Sequence, residues 1–481
     1  MLKRIEALIL KYERYILCGV VIITTLLFSS LSIIRHDRFE SGGFDLGLYD
    51  QAVWRYEHFL PAYNTVKERN QLGDHLTLTL PLVSSLFYIW EDVRFLLIIQ
   101  AFALALSFIP AYLIAKKRLK TRVTSFVMSL VYVYFYGFQY GSYFDFHPVM
   151  FGVSLLTFLA YSLEVWNKKL IVCFTILLLL TQENMGLALA GLSAIYFFRK
   201  GYMKVSIFLG IVGIAFSFIA MKVIASFSPV GFQYMPEIPS TISVFFSRLF
   251  DTDEKRQVWL YSYSWFSFLP LLSPGSLIAV ISDLSQYFVT GPAFSQMWTP
   301  FKHHRAILSV FLFLGTLDVL FYVSRNKILL WVATVILLLS SSFQQFYFHY
   351  PLNKLTKKEF VKGESWMQDA GEMISSIPSF YSVATQQNFV PHLSHRKEIY
   401  LIWPRMRDMD EMPCGRKTCW WFEFGGSPEY LVVDVRPDQW LTQILESNDN
   451  WIEAVTSMEK MGVIEPIRSQ GSVRLYKIHY Q

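Results

Sequence analysis

The chain has 481 residues, 53% hydrophobic, 17% aromatic and 17% charged, with a net charge of +6 and a mean hydropathy of +0.35. Soluble domains carry about 25% charged residues, so this composition excludes an ordinary soluble protein and points to a chain dissolved mostly in lipid. The positive balance gives no reason to expect nucleic acid as a partner, because Lys and Arg fall in short clusters between apolar runs, as cytoplasmic anchors do.

The first apolar run, residues 15–34, is too long for a signal-peptide core and lacks a small-residue cleavage site, so it reads as a retained span. Lys3, Arg4, Lys11 and Arg14 place its near side in the cytoplasm. Residues 36–92 then lie outside and contain RHDRFESGGFDLGLYDQ (from position 35 to 51) and GDHLT (73–77). Ionisable groups beside a bilayer are costly and usually mark a substrate or proton site. Residues 93–115 return to KKRLKTR (116–122), which has no acid. A pair over 123–138 and 148–166 exposes YFDFHP (143–148) and ends at Lys168 and Lys169.

Residues 170–198 have basic residues at both ends, which requires an even number of crossings. Two short segments result, 170–180 and 185–198, turning at TQEN (181–184), each below the roughly 20 residues of a full crossing. Glu183 then lies at or just below the outer surface. A span over 205–224 leads to an outer loop with DTDEKR (251–256). The aromatic stretch 259–290 is broken by SPGS (273–276) into a short hairpin. His303 and His304 are outside, a span returns to Arg325 and Lys327, and a last span covers 328–343.

The expectation is therefore a mainly α, polytopic bundle of about eleven spans over residues 1–345 in the inner (cytoplasmic) membrane. Residues 346–481 form a small extracytoplasmic α/β domain. Its strands are predicted at 382–384, 398–401 and 430–434 and its helices at 364–376 and 439–446. Cys18 and Cys173 lie in apolar runs and read as small buried hydrophobes. Cys414 and Cys419 read as a local disulfide if that part meets an oxidising compartment. Zinc is the weaker reading, since no second Cys or His pair sits at matching spacing.

The motifs FDLGLYDQ (44–51), GDH (73–75), FHP (146–148), QE (182–183) and QNFVPHLSHR (387–396), in that order, resemble DUF2079, a family of bacterial polytopic membrane proteins of unknown function. Through it the chain resembles the GT-C superfamily of membrane glycosyltransferases. That resemblance implies a first-loop acid acting as catalytic base, here Asp45 before Asp37 or Asp50, and a sugar donor carried on polyprenyl phosphate. Glu183 is assigned a supporting catalytic role on its position alone.

Transfer of a sugar to an alcohol needs a base for the acceptor hydroxyl and stabilisation of the departing phosphate, and one carboxylate opposite the leaving group gives inversion. Arg35, His75, His147, His303 and His304 are candidate phosphate contacts, and Asp50, Gln51 and Asp74 candidate substrate contacts. Asp45, Asp50 and Asp74 are also the set that could hold a divalent metal, and no other cofactor is indicated. The competing structural readings are helix caps for Asp45 and Asp74 and interfacial placement for the histidines. The expected partners are the lipid-linked donor, membrane lipid and an envelope glycan, lipid or protein acceptor. The alternative functions are a transporter or flippase of a lipid-linked or polar solute, and a non-catalytic scaffold.

Overall fold

Backbone groups in lipid must find their partners within the chain, and the apolar segments here do so as helices. The computed structural model describes residues 2–234, 237–437, 439 and 447–480. Its helices are α1 (Leu2–Asp37), α2 (Leu48–Glu57), α3 (Leu80–Ser84), α4 (Val93–Leu106), α5 (Phe108–Leu119), α6 (Arg122–Val133), α7 (Tyr136–Tyr143), α8 (Val149–Glu164), α9 (Lys168–Leu179), α10 (Met185–Phe197), α11 (Met203–Phe227) and α12 (Ile242–Arg248). There follow α13 (Asp253–Trp265), α14 (Pro274–Phe288), α15 (Leu308–Val323), α16 (Lys327–Tyr347), α17 (Lys358–Val361), α18 (Ser365–Ser375), α19 (Val390–Leu393) and α20 (Asn448–Lys460).

Among the described residues, five stretches are long and apolar enough to cross a membrane: Arg4–Asp37, Val93–Leu119, Met203–Phe227, His303–Val323 and Lys327–Tyr347. The other apolar segments are shorter. The stretch with basic ends forms α9 and α10, of 12 and 13 residues, joined at residues 181–184 as anticipated. The aromatic stretch breaks at Ser273, whose hydroxyl caps α14 ahead of Pro274. The predicted loop at 251–256 is instead mostly helical. Thr252 accepts from the Lys255 amide, and Asp253 and Glu254 occupy the first turn of α13, where the helix dipole favours acids.

Buried aromatic side chains hold the bundle together, and their polar tips find partners. The Tyr132 hydroxyl meets Thr157 at 2.6 Å, the Tyr136 hydroxyl meets Ser262 at 2.6 Å, and Trp265 Nε1 donates to the Val131 carbonyl at 2.8 Å. At the end of the bundle where α5 and α8 finish, Arg118 and Arg199 enclose Glu164 and Asp318. The Tyr196 and Ser273 hydroxyls complete this network. The neighbouring basic loop is not a bare anchor either. Lys116 pairs with Glu13 at 3.0 Å, and the Arg122 amide donates to Glu6. Cys18 and Cys173 are exposed on the outer faces of α1 and α9, not buried as expected. A thiol is apolar enough to face lipid, so a position within an apolar run did not specify a side.

The C-terminal part contains a five-stranded sheet in the order β4-β3-β7-β9-β8. Its strands are β3 (Val383–Thr385), β4 (Ile399–Leu401), β7 (Tyr430–Asp434), β8 (Ile464–Gln470) and β9 (Val473–Ile478). Strand β3 pairs in parallel with β4 and β7, and the remaining pairs are antiparallel. The predicted strands correspond to β3, β4 and β7, and the helix predicted at 364–376 is α18. The helix predicted at 439–446 lies outside the described residues except for Gln439. The hairpin of β5 (Trp403–Asp408) and β6 (Thr418–Glu423) was not anticipated, and a disulfide ties Cys414 in its loop to Cys419 on β6. The remaining strands, β1 (Tyr63–Asn64) and β2 (Arg69–Asn70), pair in the first loop.

This C-terminal part docks on the first loop through two of the motifs. The Gly43 amide donates to the Gln387 carbonyl at 2.9 Å. Gly43 and Gly47 lie so close to Val390 that a Cβ at either would approach it to 2.8 or 2.7 Å. Thr65 bridges the Ile399 amide and carbonyl.

Close approach also governs α10 and α11. A Cβ on Gly213 would sit 2.3 Å from the Gly186 carbonyl, so the helices cross backbone to backbone, as small residues permit in membranes. Gly213→Leu is expected to destabilise the protein by about 1–3 kcal/mol, read as a lower melting temperature in detergent. Gly371→Ala, inside α18 with nothing within 4 Å of the added carbon, is expected to raise stability by about 0.5–1 kcal/mol.

Candidate functional site

Asp45 lies in a single π-turn over Gly43–Gly47 that leads into α2. Such turns recur at functional sites because they displace one side chain from the regular helix face. Asp45 does not cap α2: the cap position is Gly47, with no side-chain bond. Its carboxylate instead meets His147 Nε2 at 3.1 Å. His147 is held from two other directions. Its amide donates to Gln100 Oε1 at 2.7 Å, and its Nδ1 lies 3.0 Å from the Asp145 carbonyl. Both ring nitrogens thus face oxygen acceptors, one of the Asp45 carboxylate and one of the Asp145 backbone. Burial pushes the Asp45 carboxyl upward. The His147 bond and the charges of His147, Lys67 and Lys302 outweigh it and hold Asp45 below the ordinary carboxylate value. Its side chain keeps 35% of its accessible surface, so it is open to a reactant.

Behind this pair, Asp145 makes a buried ion pair with Arg35 and accepts from the Gly42 amide at 2.8 Å. Arg35 is therefore committed to Asp145 and is not free to bind phosphate. On the other side, the His147 ring stacks on His303 at 3.9 Å, and His303 lies 3.9 Å from His304. Nδ1 of both His303 and His304 is buried without a hydrogen-bond partner. Lys302 lies over the Phe144 ring at 5.3 Å.

A second group comes from GDH and the turn between α9 and α10. His75 Nδ1 meets Glu183 Oε1 at 2.7 Å, and the Leu76 amide donates to Glu183 Oε2 at 3.1 Å. Asp74 is not a cap: it accepts from Lys67 Nζ at 2.9 and 2.8 Å and from the Tyr234 hydroxyl at 3.1 Å. The Tyr234 ring stacks on His75 with centroids 4.8 Å apart. Burial pushes the Asp74 carboxyl up, but the charges of His75 and Lys67 and the bonds from Lys67 and Tyr234 hold it below its ordinary value. Burial alone would lower His75, yet Glu183 and Asp74 raise it above the ordinary imidazole value. The two groups share one field. Lys67 acts on Asp45, and Asp74, Glu183 and Asp45 all act with burial to raise the Tyr49 phenol.

Asp50 and Gln51 turn the other way. Asp50 is fully buried, accepting from Ser394 and lying 2.9 Å from His395 Nε2. Gln51, also fully buried, bonds Thr65 at 2.8 Å and 3.1 Å. Both fasten the first loop to the QNFVPHLSHR segment, and neither faces an open space. Asp45, Asp50 and Asp74 accordingly do not form a metal-binding group among the described residues. Sequence reasoning passed over Lys67, Gln100, Asp145, Tyr234 and Lys302. Asp145 lay within a motif already singled out, and Lys67 precedes Asp74 in the same loop. Tyr234 carried no local signal.

Residues 35–415 match a family model described as a predicted membrane protein, DUF2079, and no curated protein matches the chain. The matched range begins at Arg35 and runs past the docking motif, so it takes in every residue named in both groups.

The directions of these shifts set a pH window. Asp45 and Asp74 lie below 3.8, so their stabilisation is complete above that value and is lost as pH falls through their folded values. His75 lies above 6.5, so its contribution is complete below 6.5 and is lost as pH rises through its folded value. Melting temperature in detergent is expected to be highest between about pH 4 and pH 6.5. His75→Gln is expected to flatten the alkaline limb and, by removing one of the charges that lower Asp74, to shrink the acid limb as well; an unaltered alkaline limb would refute the assignment.

Proposed function

The chain belongs to the DUF2079 family of predicted membrane proteins, and on that footing we propose that it is a membrane glycosyltransferase using a polyprenyl-phosphate-linked sugar. In this reading the protein crosses the inner membrane about eleven times, with short helices such as α9 and α10 forming paired half-crossings. The N-terminus is cytoplasmic, and residues 346–481 form an extracytoplasmic domain. The five long apolar helices support multiple crossings, and the positive-inside pattern supports the orientation.

The single observation that carries the reading is Asp45, partly exposed and hydrogen-bonded to His147, with Lys67 and Lys302 acting on the same carboxylate. Asp45 accepts the proton of the acceptor hydroxyl as the new C–O bond forms at the anomeric carbon. The bond to the carrier phosphate breaks, and its electron pair leaves with the phosphate. Attack on the face opposite the leaving group inverts the anomeric centre. His147 orients Asp45, while Lys302 offsets the negative charge of the departing phosphate and Lys67, held by Asp74, adds to the positive field at Asp45. Tyr234, stacked on His75, offers an aromatic edge for a sugar ring. Glu183 keeps His75 charged and in place.

A proton-coupled transporter or flippase of a lipid-linked or polar solute is the second reading. It is favoured by the His75–Glu183 pair, a proton-exchanging couple at a turn between two short apolar helices. The two readings separate in reconstituted vesicles given a labelled polyprenyl-phosphate sugar. Asp45→Asn is expected to lower transfer to acceptor by about 10²–10⁴-fold while the protein still inserts and melts cooperatively. Wild-type protein that moves the label across the bilayer without transferring it, with Glu183→Gln blocking that movement, would favour the transporter instead.

A further inference from the structure

Helix α2 begins beside Asp45 and ends, about 15 Å further along, in a second concentration of ligand-forming groups that the site above does not use. Glu57 is its last residue, His58 follows it, and Glu91 comes from the turn before α4. Ligand atoms of these three side chains all lie within 4.8 Å of one another.

Several acids elsewhere in the molecule are matched with Lys or Arg: Asp145 with Arg35, Asp74 with Lys67, Glu164 with Arg118 and Arg199. Glu57 and Glu91 are different. Among the described residues neither has a Lys or Arg ion-pair partner, and the groups near them are His58 and His395. The Glu57 side chain is 10% exposed, and its buried Oε2 has no hydrogen-bond partner. His58 Nδ1 lies 2.7 Å from that oxygen and 3.0 Å from the Trp54 carbonyl; in the tautomer with its proton on Nε2, Nδ1 turns a lone pair and not a hydrogen toward the carboxylate. A buried carboxylate oxygen left this way is costly, and a cation at this point removes the cost.

Three further features suit a metal. Trp54 Nε1 donates to Glu91 Oε1 at 2.7 Å, which orients that carboxylate and leaves its other oxygen free, as outer partners of metal ligands do. The group sits at the C-terminus of a ten-residue helix, where the dipole attracts positive charge. His58 and Glu91 are about two-fifths exposed, which provides a path for entry.

We propose that Glu57, His58 and Glu91 form a binding site for a divalent cation of the Zn2+ class. One imidazole and two carboxylates suit Zn2+ or Mn2+, whereas Mg2+ and Ca2+ sites are built from oxygen ligands. The ion fastens the end of α2 to the turn before α4. Because Glu91 also lies 3.9 Å from His395, which holds Asp50, the ion braces the junction between the first loop and the C-terminal part.

The test is calorimetric titration of Zn2+ into the full-length, tag-free, chelator-stripped protein in detergent. Saturable binding of a single ion per chain is expected, unaffected by excess Mg2+ and accompanied by a higher melting temperature. Glu57→Gln combined with Glu91→Gln is expected to weaken binding by at least about tenfold, while Glu254→Gln on α13 binds as wild type. Should the double variant misfold, His58→Asn, at an exposed position, provides the same comparison. Wild-type protein with no saturable uptake, or a folded double or His58→Asn variant that binds as tightly as wild type, overturns the site.

Discussion

The buried ion pair between Arg35 and Asp145 is the contact on which the arrangement around Asp45 depends. Neither charge is stable in a low-dielectric interior without the other. Their union therefore fixes the end of α1 against the segment between α7 and α8. Asp145 then serves both members of the central pair. Its carboxylate receives the Gly42 amide, which sets the entry to the π-turn carrying Asp45. Its carbonyl receives His147 Nδ1, which sets the ring that meets Asp45. One buried residue thus aligns two side chains separated by 102 positions.

The reverse side of the same turn is shaped by contact with the C-terminal part. Gly43 and Gly47 lie against Val390, where no side chain fits, while Asp50 reaches across to Ser394 and His395 and Gln51 to the Arg396 carbonyl. The acidic first loop therefore divides its charges between two tasks. Asp45 and Asp74 face the shared field of Lys67, His75 and His147, and Asp50 holds the loop to its support. A carboxylate positioned this way sits on a rigid backing even though it belongs to a loop.

Much of the fold was legible in the sequence. Apolar run length located the helices, basic residues marked their ends, and Ser273-Pro274 and the residues 181–184 marked the breaks. These are local signals, since helix caps, turn residues and hydrophobic runs act over a few positions. The C-terminal strands β3, β4 and β7 were equally visible as short runs rich in β-branched residues. The exposed position of Cys18 and Cys173 was not visible, because an apolar run has no polar side to show which way a residue points. Nor was the paired state of Lys116 and Arg122, whose acidic partners Glu13 and Glu6 lie on α1.

The sequence by itself determined that the chain belongs in a membrane, where its helices fall, and which few segments concentrate charge. Only the tertiary structure decided which of those charges meet. The pairs Arg35–Asp145, Asp45–His147 and His75–Glu183 join positions 110, 102 and 108 residues apart. No local pattern encodes such partners, because in a low-dielectric interior a charge is stabilised by whichever opposite group the packing brings near.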